Sequence, residues 1–170
     1  KMNSIENACL YTNAEPLSAP PHRHEYFQFV YLYTGHARLL LDGSEKEYGA
    51  HALVTIPPAM RHGFVYPEPC ETECRIFELK IFCDRDTAAR IQFPTLIDCS
   101  PFHQDVESSL AMILNTHRDS RIRSPHAISA LLEYFLIAVD AWCGAGKPFI
   151  RDDKIYKAIV YLDRHFTSEI

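Results

Sequence analysis

A mainly β domain followed by helices is the fold that the sequence predicts, and three observations predict it. Up to about residue 100, apolar and aromatic runs of strand length are separated by turn residues. Beyond that point apolar residues recur at helical spacing. Two of the helical stretches open on Ser-Pro, at Ser100-Pro101 and Ser124-Pro125, where Ser can cap and Pro at the first helical position loses no hydrogen bond. A chain of 170 residues with 47% hydrophobic and 23% charged residues has the balance of an ordinary globular protein, which excludes a wholly disordered chain, a collagen-like fibre and a coiled-coil rod.

The predicted strands are Cys9–Thr12, Tyr26–Tyr33, Ala37–Leu41, Ala52–Ile56, Phe64–Tyr66, Arg75–Phe82 and Thr95–Cys99. Turns fall at Thr34-Gly35, Asp42-Gly43-Ser44, Pro57-Pro58 and Pro67-Glu68-Pro69. Asp42-Gly43 is a hairpin signal, because both positions tolerate positive φ. Many short strands at turn-limited spacing point to a closed barrel or a sandwich.

Among the helices, the first carries Val106, Leu110, Ile113 and Leu114 on its apolar face. The second runs to about Cys143, stops at Gly144, and aligns Ile128, Leu131, Leu132, Phe135, Leu136, Val139 and Trp142 in one stripe. Tyr134, Ile137 and Ala138 add apolar surface elsewhere on it, so it is expected to bury more than one side. Gly144 to Pro148 reads as a linker, and Ile155, Ala158, Ile159, Leu162 and Phe166 as a third amphipathic helix.

Charge and composition narrow the function. The net charge of −5 lacks the basic surplus of a stand-alone nucleic-acid binder. No apolar run reaches the ~18–20 residues of a membrane span, and no signal peptide is visible, so no membrane partner is expected. Six cysteines are scattered through the chain, and Cys70 and Cys74 have no second Cys/His pair at zinc-finger spacing. A reduced, cytoplasmic setting is expected.

Histidines carry the main chemical signal. His22, His24 and Gln28 share parity on one extended segment, with Tyr26 on the same face, and His62 follows the Pro57-Pro58 turn. Three imidazoles and an amide oxygen suit a divalent transition metal such as Zn, Ni, Fe or Mn. Histidines that only hydrogen-bond in a polar pocket are the alternative. Arg38, the one charge in an apolar strand, is a candidate ligand-binding group, its alternative an outward surface position. Glu78 and Lys80 alternate with Phe77, Leu79 and Ile81 and read as a solvated strand face.

His22-Arg23-His24 with Gln28 and Gly35 resembles the first cupin motif, and Gly49 through Pro57, Ala59 and His62 resembles the second. Gln28 stands where cupin enzymes usually carry glutamate, and Ala59 where glycine is common. The wider order, with Ile155 to Phe166 similar to the first helix of a DNA-binding domain, resembles the AraC family of bacterial transcription regulators. That resemblance implies a cupin-type double-stranded β-helix (jelly-roll) barrel, two packing and dimerisation helices, and the first helix of a helix-turn-helix domain. It divides the chain into an arm (1–21), barrel (22–100), helical dimerisation region (101–143), linker (144–153) and the start of the DNA-binding domain (154–170).

The function so implied is that of a sensor, not an enzyme. A small-molecule effector, a sugar among the candidates, binds in the barrel at His22, His24, Tyr26, Gln28, Arg38 and His62 and controls DNA binding. DNA is contacted only through helices expected to follow Ile170. The arm closes over the barrel mouth, and a homodimer forms with Leu132, Phe135, Leu136 and Val139 near its interface. A metal-dependent cupin enzyme, a small dioxygenase or isomerase using the three-His/Gln site, is the other reading; Gln28, a weaker ligand than carboxylate, counts against it.

Overall fold

A computed structural model describes residues 3–13, 16–66, 73–119, 121 and 124–143. Nine strands and three α-helices follow in chain order over these residues: β1 (Ser4–Asn13), β2 (Leu17–His22), β3 (Phe27–Thr34), β4 (His36–Leu41), β5 (Ser44–Gly49), β6 (Ala52–Ile56), β7 (His62–Tyr66), β8 (Cys74–Phe82), α1 (Arg85–Arg90), β9 (Leu96–Asp98), α2 (His103–Arg118) and α3 (Pro125–Trp142). The expected linker, the third helix, Cys70 and the Pro67-Glu68-Pro69 turn lie outside the described residues.

The strands form two antiparallel sheets, one ordered β1-β8-β3-β6-β9 and the other β2-β7-β4-β5. No hydrogen-bonded ladder joins the two among the described residues, so the sheets are open where a closed barrel was one expectation. Side chains seal them instead. Val30, Leu32, Val54, Ile56 and Ile76 from the larger sheet pack with Ala37, Leu39, Tyr48, Phe64 and Tyr66 from the smaller. The larger sheet is apolar on its other face too. Phe27, Phe29, Tyr31, Leu53, Phe77, Leu79 and Ile81 pack there against α2 and α3. A strand covered on both faces is apolar at nearly every position, which is why β3 and β6 are buried almost throughout.

Several elements differ from the expectation. The segment read as an arm supplies β1, paired with β8, and β2, paired with β7. Pro20 and Pro21 hide β2 from a sequence reading, since proline cannot donate to a ladder. They are tolerated because β2 is an edge strand whose register shifts between Ala19 and His22. Ser100 opens a short 3₁₀ turn, Ser100–Phe102, ahead of α2. Ser124 does cap α3, its hydroxyl accepting from the Ala127 N–H at 3.0 Å. The β4–β5 turn is as expected, with φ of 37° at Asp42 and 86° at Gly43.

The helix stripe assigned to a twofold interface is used within the chain. Leu132, Phe135, Leu136 and Val139 are each 0% exposed, and Phe135 meets Phe29 edge to face with ring centroids 5.3 Å apart. That stripe of α3 is covered by the outer face of the larger sheet together with α2. No helix among the described residues is long and apolar enough to cross a membrane.

Candidate metal and ligand site

His22, His24 and His62 converge, with one ligand atom of each lying within 4.8 Å of the others. They arrive from three places, and His22 and His24, expected on one extended segment with Gln28, are divided between a strand end and a connection. His22 ends β2 and faces His62 at the start of β7, its register partner. His24 sits in the connection to β3, held where its carbonyl accepts from the Ala59 N–H at 2.8 Å. Gly63, beside His62, permits this convergence: a Cβ there would lie 2.6 Å from the Ala19 carbonyl oxygen and 3.0 Å from the Pro21 nitrogen. The bare backbone lets β2 lie close over β7.

Hydrogen bonds orient the rings. His62 is wholly buried, and its Nδ1–H donates to the Met60 carbonyl at 2.9 Å. His22 donates from Nδ1 to the Pro20 carbonyl, also at 2.9 Å. A carbonyl can only accept, so in the neutral rings both Nε2 atoms carry lone pairs. The His24 ring stacks on Tyr26 at 3.9 Å between centroids, and its Nδ1 is buried without a hydrogen-bond partner.

Gln28, on the inner face of β3, places Oε1 2.9 Å from Nε2 of His24 and 2.9 Å from Nε2 of His62. Between His62 and Gln28 two lone pairs therefore face each other at hydrogen-bond distance. A proton on His62 Nε2 would relieve the contact, but burial pulls this imidazole below its ordinary value despite the opposing hydrogen bond to Met60. A cation between the rings relieves it directly. Three imidazole nitrogens and an amide oxygen are a donor set that suits Zn, Mn, Fe or Ni. On this chemistry the residues fit a divalent metal.

Two residues of the site were misread from sequence. Glu78 and Lys80 do not form a solvated face. β8 is central, flanked by β1 and β3, and its even positions run from the buried Cys74 and Ile76 to Glu78 and Lys80 on the inner side. Gln28 Nε2 donates to Glu78 Oε1, and Lys80 Nζ lies 3.2 Å from that same oxygen. Cys9, opposite Glu78 on β1, approaches its other oxygen at 3.8 Å. Burial works against the Lys80 charge, yet the Glu78 carboxylate holds Lys80 above its ordinary value. Two charges interleaved with Phe77, Leu79 and Ile81, on the parity of Cys74 and Ile76, were the available signal.

Of the other expected site residues, Tyr26 belongs at the site. Besides stacking on His24 it has Lys80 Nζ 5.6 Å from its ring centre, and Phe82 packs against its edge. Arg38 does not. β4 turns Ala37 and Leu39 inward, which sends Arg38 outward to an exposed ion pair with Glu45 at 2.9 Å.

The histidines and Gln28 all fall within a segment that matches a known family. Residues 13–76 match the model of the cupin domain. No curated protein matches the sequence. Solved structures similar to this chain include a cupin 2 conserved barrel domain protein from Salinispora arenicola, 20% identical over 52% of this chain and 79% of that one, with a TM-score of 0.38. KdgF from Halomonas sp. is 21% identical over 46% of this chain and 76% of that chain, with a TM-score of 0.37. Oxalate decarboxylase from Bacillus subtilis, described with Mn(II) centers, is 15% identical over 43% of this chain, with a TM-score of 0.37; the match spans 20% of that protein.

Proposed function

We propose that this chain is the sensing domain of a transcription regulator, and that its cupin site binds an oxygen-rich small molecule at a divalent metal held by His22, His24, His62 and Gln28. The observation that carries the site is the convergence of the three imidazoles on Gln28 Oε1, with the His62 lone pair facing that oxygen at 2.9 Å. When bound, the metal would supply Lewis acidity toward a ligand oxygen. The chain's own residues do the rest. Tyr26 and Phe82 offer aromatic surface beside the histidines, Lys80 offers a cation, and Glu78 fixes the amide of Gln28.

Transmission supports a sensor. Residues that build the site alternate along the same strands with residues that support the helices: Gln28 with Phe29 on β3, Glu78 with Leu79 on β8. The resemblance of residues 155–166 to the first helix of a DNA-binding domain adds the output. A second reading, a metal-dependent enzyme, is favoured by Glu78, a carboxylate next to the candidate ligands that could exchange protons with a substrate.

The two readings separate in one experiment. Metal-loaded protein is screened by thermal shift against sugars and small hydroxy- and oxo-acids, and each stabilising compound is then followed by NMR. Recovery of the compound unchanged, with altered DNA binding in a chain extended through the DNA-binding helices, supports the sensor. Conversion of the compound establishes the enzyme and refutes the sensor reading.

A further inference from the structure

We infer that Glu78 is a positioning residue: it locks the side-chain amide of Gln28 with its oxygen, and not its N–H, turned toward His24 and His62. The inference rests on the metal reading of that site and assigns the task that the partly buried Glu78–Lys80 pair performs there.

A glutamine side chain rotated half a turn about its last bond keeps its shape and exchanges its acceptor for its donors. At Gln28 the two orientations have opposite consequences. With nitrogen turned inward, the amide would donate to the Nε2 lone pair of His62, a satisfactory neutral hydrogen bond, and would close the cluster to a cation. With oxygen inward, the amide adds a fourth donor atom to the three imidazoles. Taken alone, His62 favours the closed orientation, because its Nδ1–H is already given to Met60 and its Nε2 can only accept.

Glu78 reverses that preference. Its carboxylate accepts from Gln28 Nε2, a charge-assisted bond about twice as strong as a neutral one. Turning the amide over would set Gln28 Oε1 against the carboxylate, two acceptors in contact. Glu78 is itself fixed: Lys80 Nζ lies 3.2 Å from the same Oε1, and Cys9 Sγ approaches Oε2 at 3.8 Å from the neighbouring strand. Register supplies the reach. Gln28 pairs with Lys80 and Val30 with Glu78, so Glu78 is the diagonal neighbour of Gln28 on the inner face. In a site with glutamine as the fourth group, Glu78 does for the amide what carboxylate partners do for metal-bound histidines.

The test is a double-mutant cycle on metal affinity. Zn2+ binding to metal-stripped protein is measured by competition with a chromophoric chelator, and Mn2+ binding by electron paramagnetic resonance. Glu78→Gln, which can donate to or accept from the amide, is expected to weaken binding about 10- to 100-fold. In a Gln28→Ala background the same change is expected to cost less than about twofold, because no amide remains to orient. Glu78→Asp keeps the charge and shortens the reach, so it should weaken binding in the wild-type background as Glu78→Gln does; it carries the test if Glu78→Gln fails to fold. Undiminished binding in folded Glu78→Gln, or an equal loss with and without Gln28, overturns the inference while leaving the metal site standing. Absence of Zn2+ and Mn2+ binding in the wild type overturns the metal reading itself, and this inference with it.

Discussion

Metal binding should appear as folding stability, and His62 should control it. In metal-free protein the His62 Nε2 lone pair faces Gln28 Oε1 at 2.9 Å, a contact that a cation converts from repulsive to bonding. A ligand that binds only the native state stabilises it by RT ln(1 + [L]/Kd), about 2.7 kcal/mol at a hundred times Kd. For a chain of 170 residues each kcal/mol moves Tm by roughly 2–4 °C, so a saturating divalent metal should raise Tm by about 5–11 °C. His62→Ala removes one of three imidazoles. If affinity falls a hundredfold, the same metal concentration leaves about 0.4 kcal/mol, a shift of roughly 1–2 °C. Differential scanning calorimetry of EDTA-stripped protein, titrated separately with Zn2+, Mn2+, Ni2+ and Fe2+ (the last anaerobically), measures both. Comparing each variant with its own metal-free form cancels the packing cost of removing the ring. Equal metal-induced shifts in wild type and His62→Ala, or no shift with any of the four ions, would refute the reasoning.

Three further outcomes follow from the backbone and the core. Gly63→Ala puts a methyl group 2.6 Å from the Ala19 carbonyl, so β2 must move and carry His22 away from His62; chelator competition should show metal affinity at least tenfold weaker, with helix content by circular dichroism unchanged. Ala59 has φ of 63°, in the left-handed region that costs a non-glycine residue roughly 1–2 kcal/mol, so Ala59→Gly should raise stability in urea by about 0.5–1 kcal/mol after glycine's extra unfolded-state entropy. Phe135→Ala should lower stability by about 3–5 kcal/mol without dissociating any oligomer, read by denaturation at two protein concentrations and by sedimentation, since Phe135 is wholly buried against its own sheet.

Where local rules dominate, the sequence was legible. Asp42-Gly43 made the hairpin it promised, Ser124-Pro125 opened α3, and Val106, Leu110, Ile113 and Leu114 all face inward from α2. Position in a sheet was not legible, and that decided the misreadings. Glu78 and Lys80 alternate with apolar residues as an exposed face would, but exposure also requires that nothing covers that face, and β8 lies between β1 and β3 in a sheet packed on both sides. The same ignorance of neighbours made Arg38 a pocket candidate and placed Leu132, Phe135, Leu136 and Val139, which the chain itself buries, near an interface. His22, His24 and Gln28 came together as parity suggested, yet by way of an edge strand, a connection and a second sheet. The α1 helix, six residues capped by Asp84 accepting from Thr87 N–H at 2.8 Å, is too short to leave a periodic signal.

Having no face free gives the larger sheet a consequence for function. Along β3, Gln28 reaches toward the histidines while Phe29, the next residue, sits against Phe135 of α3; along β8, Glu78 holds Gln28 while Leu79 packs in the helix-side core. Neighbouring residues in a strand share one peptide unit, so a displacement of either side chain that moves its backbone moves the other. Cores packed at crystal-like density do not absorb such movement in empty space; they pass it on or resist it. A ligand that pulls Gln28 toward a metal therefore acts on the floor beneath α3, and its effect on α3 depends on how tightly Phe29 and Phe135 interlock. Replacing Phe29 with a smaller apolar residue should then loosen the link between site and helix while leaving the metal-binding groups in place, and a sensor would lose response before it lost affinity.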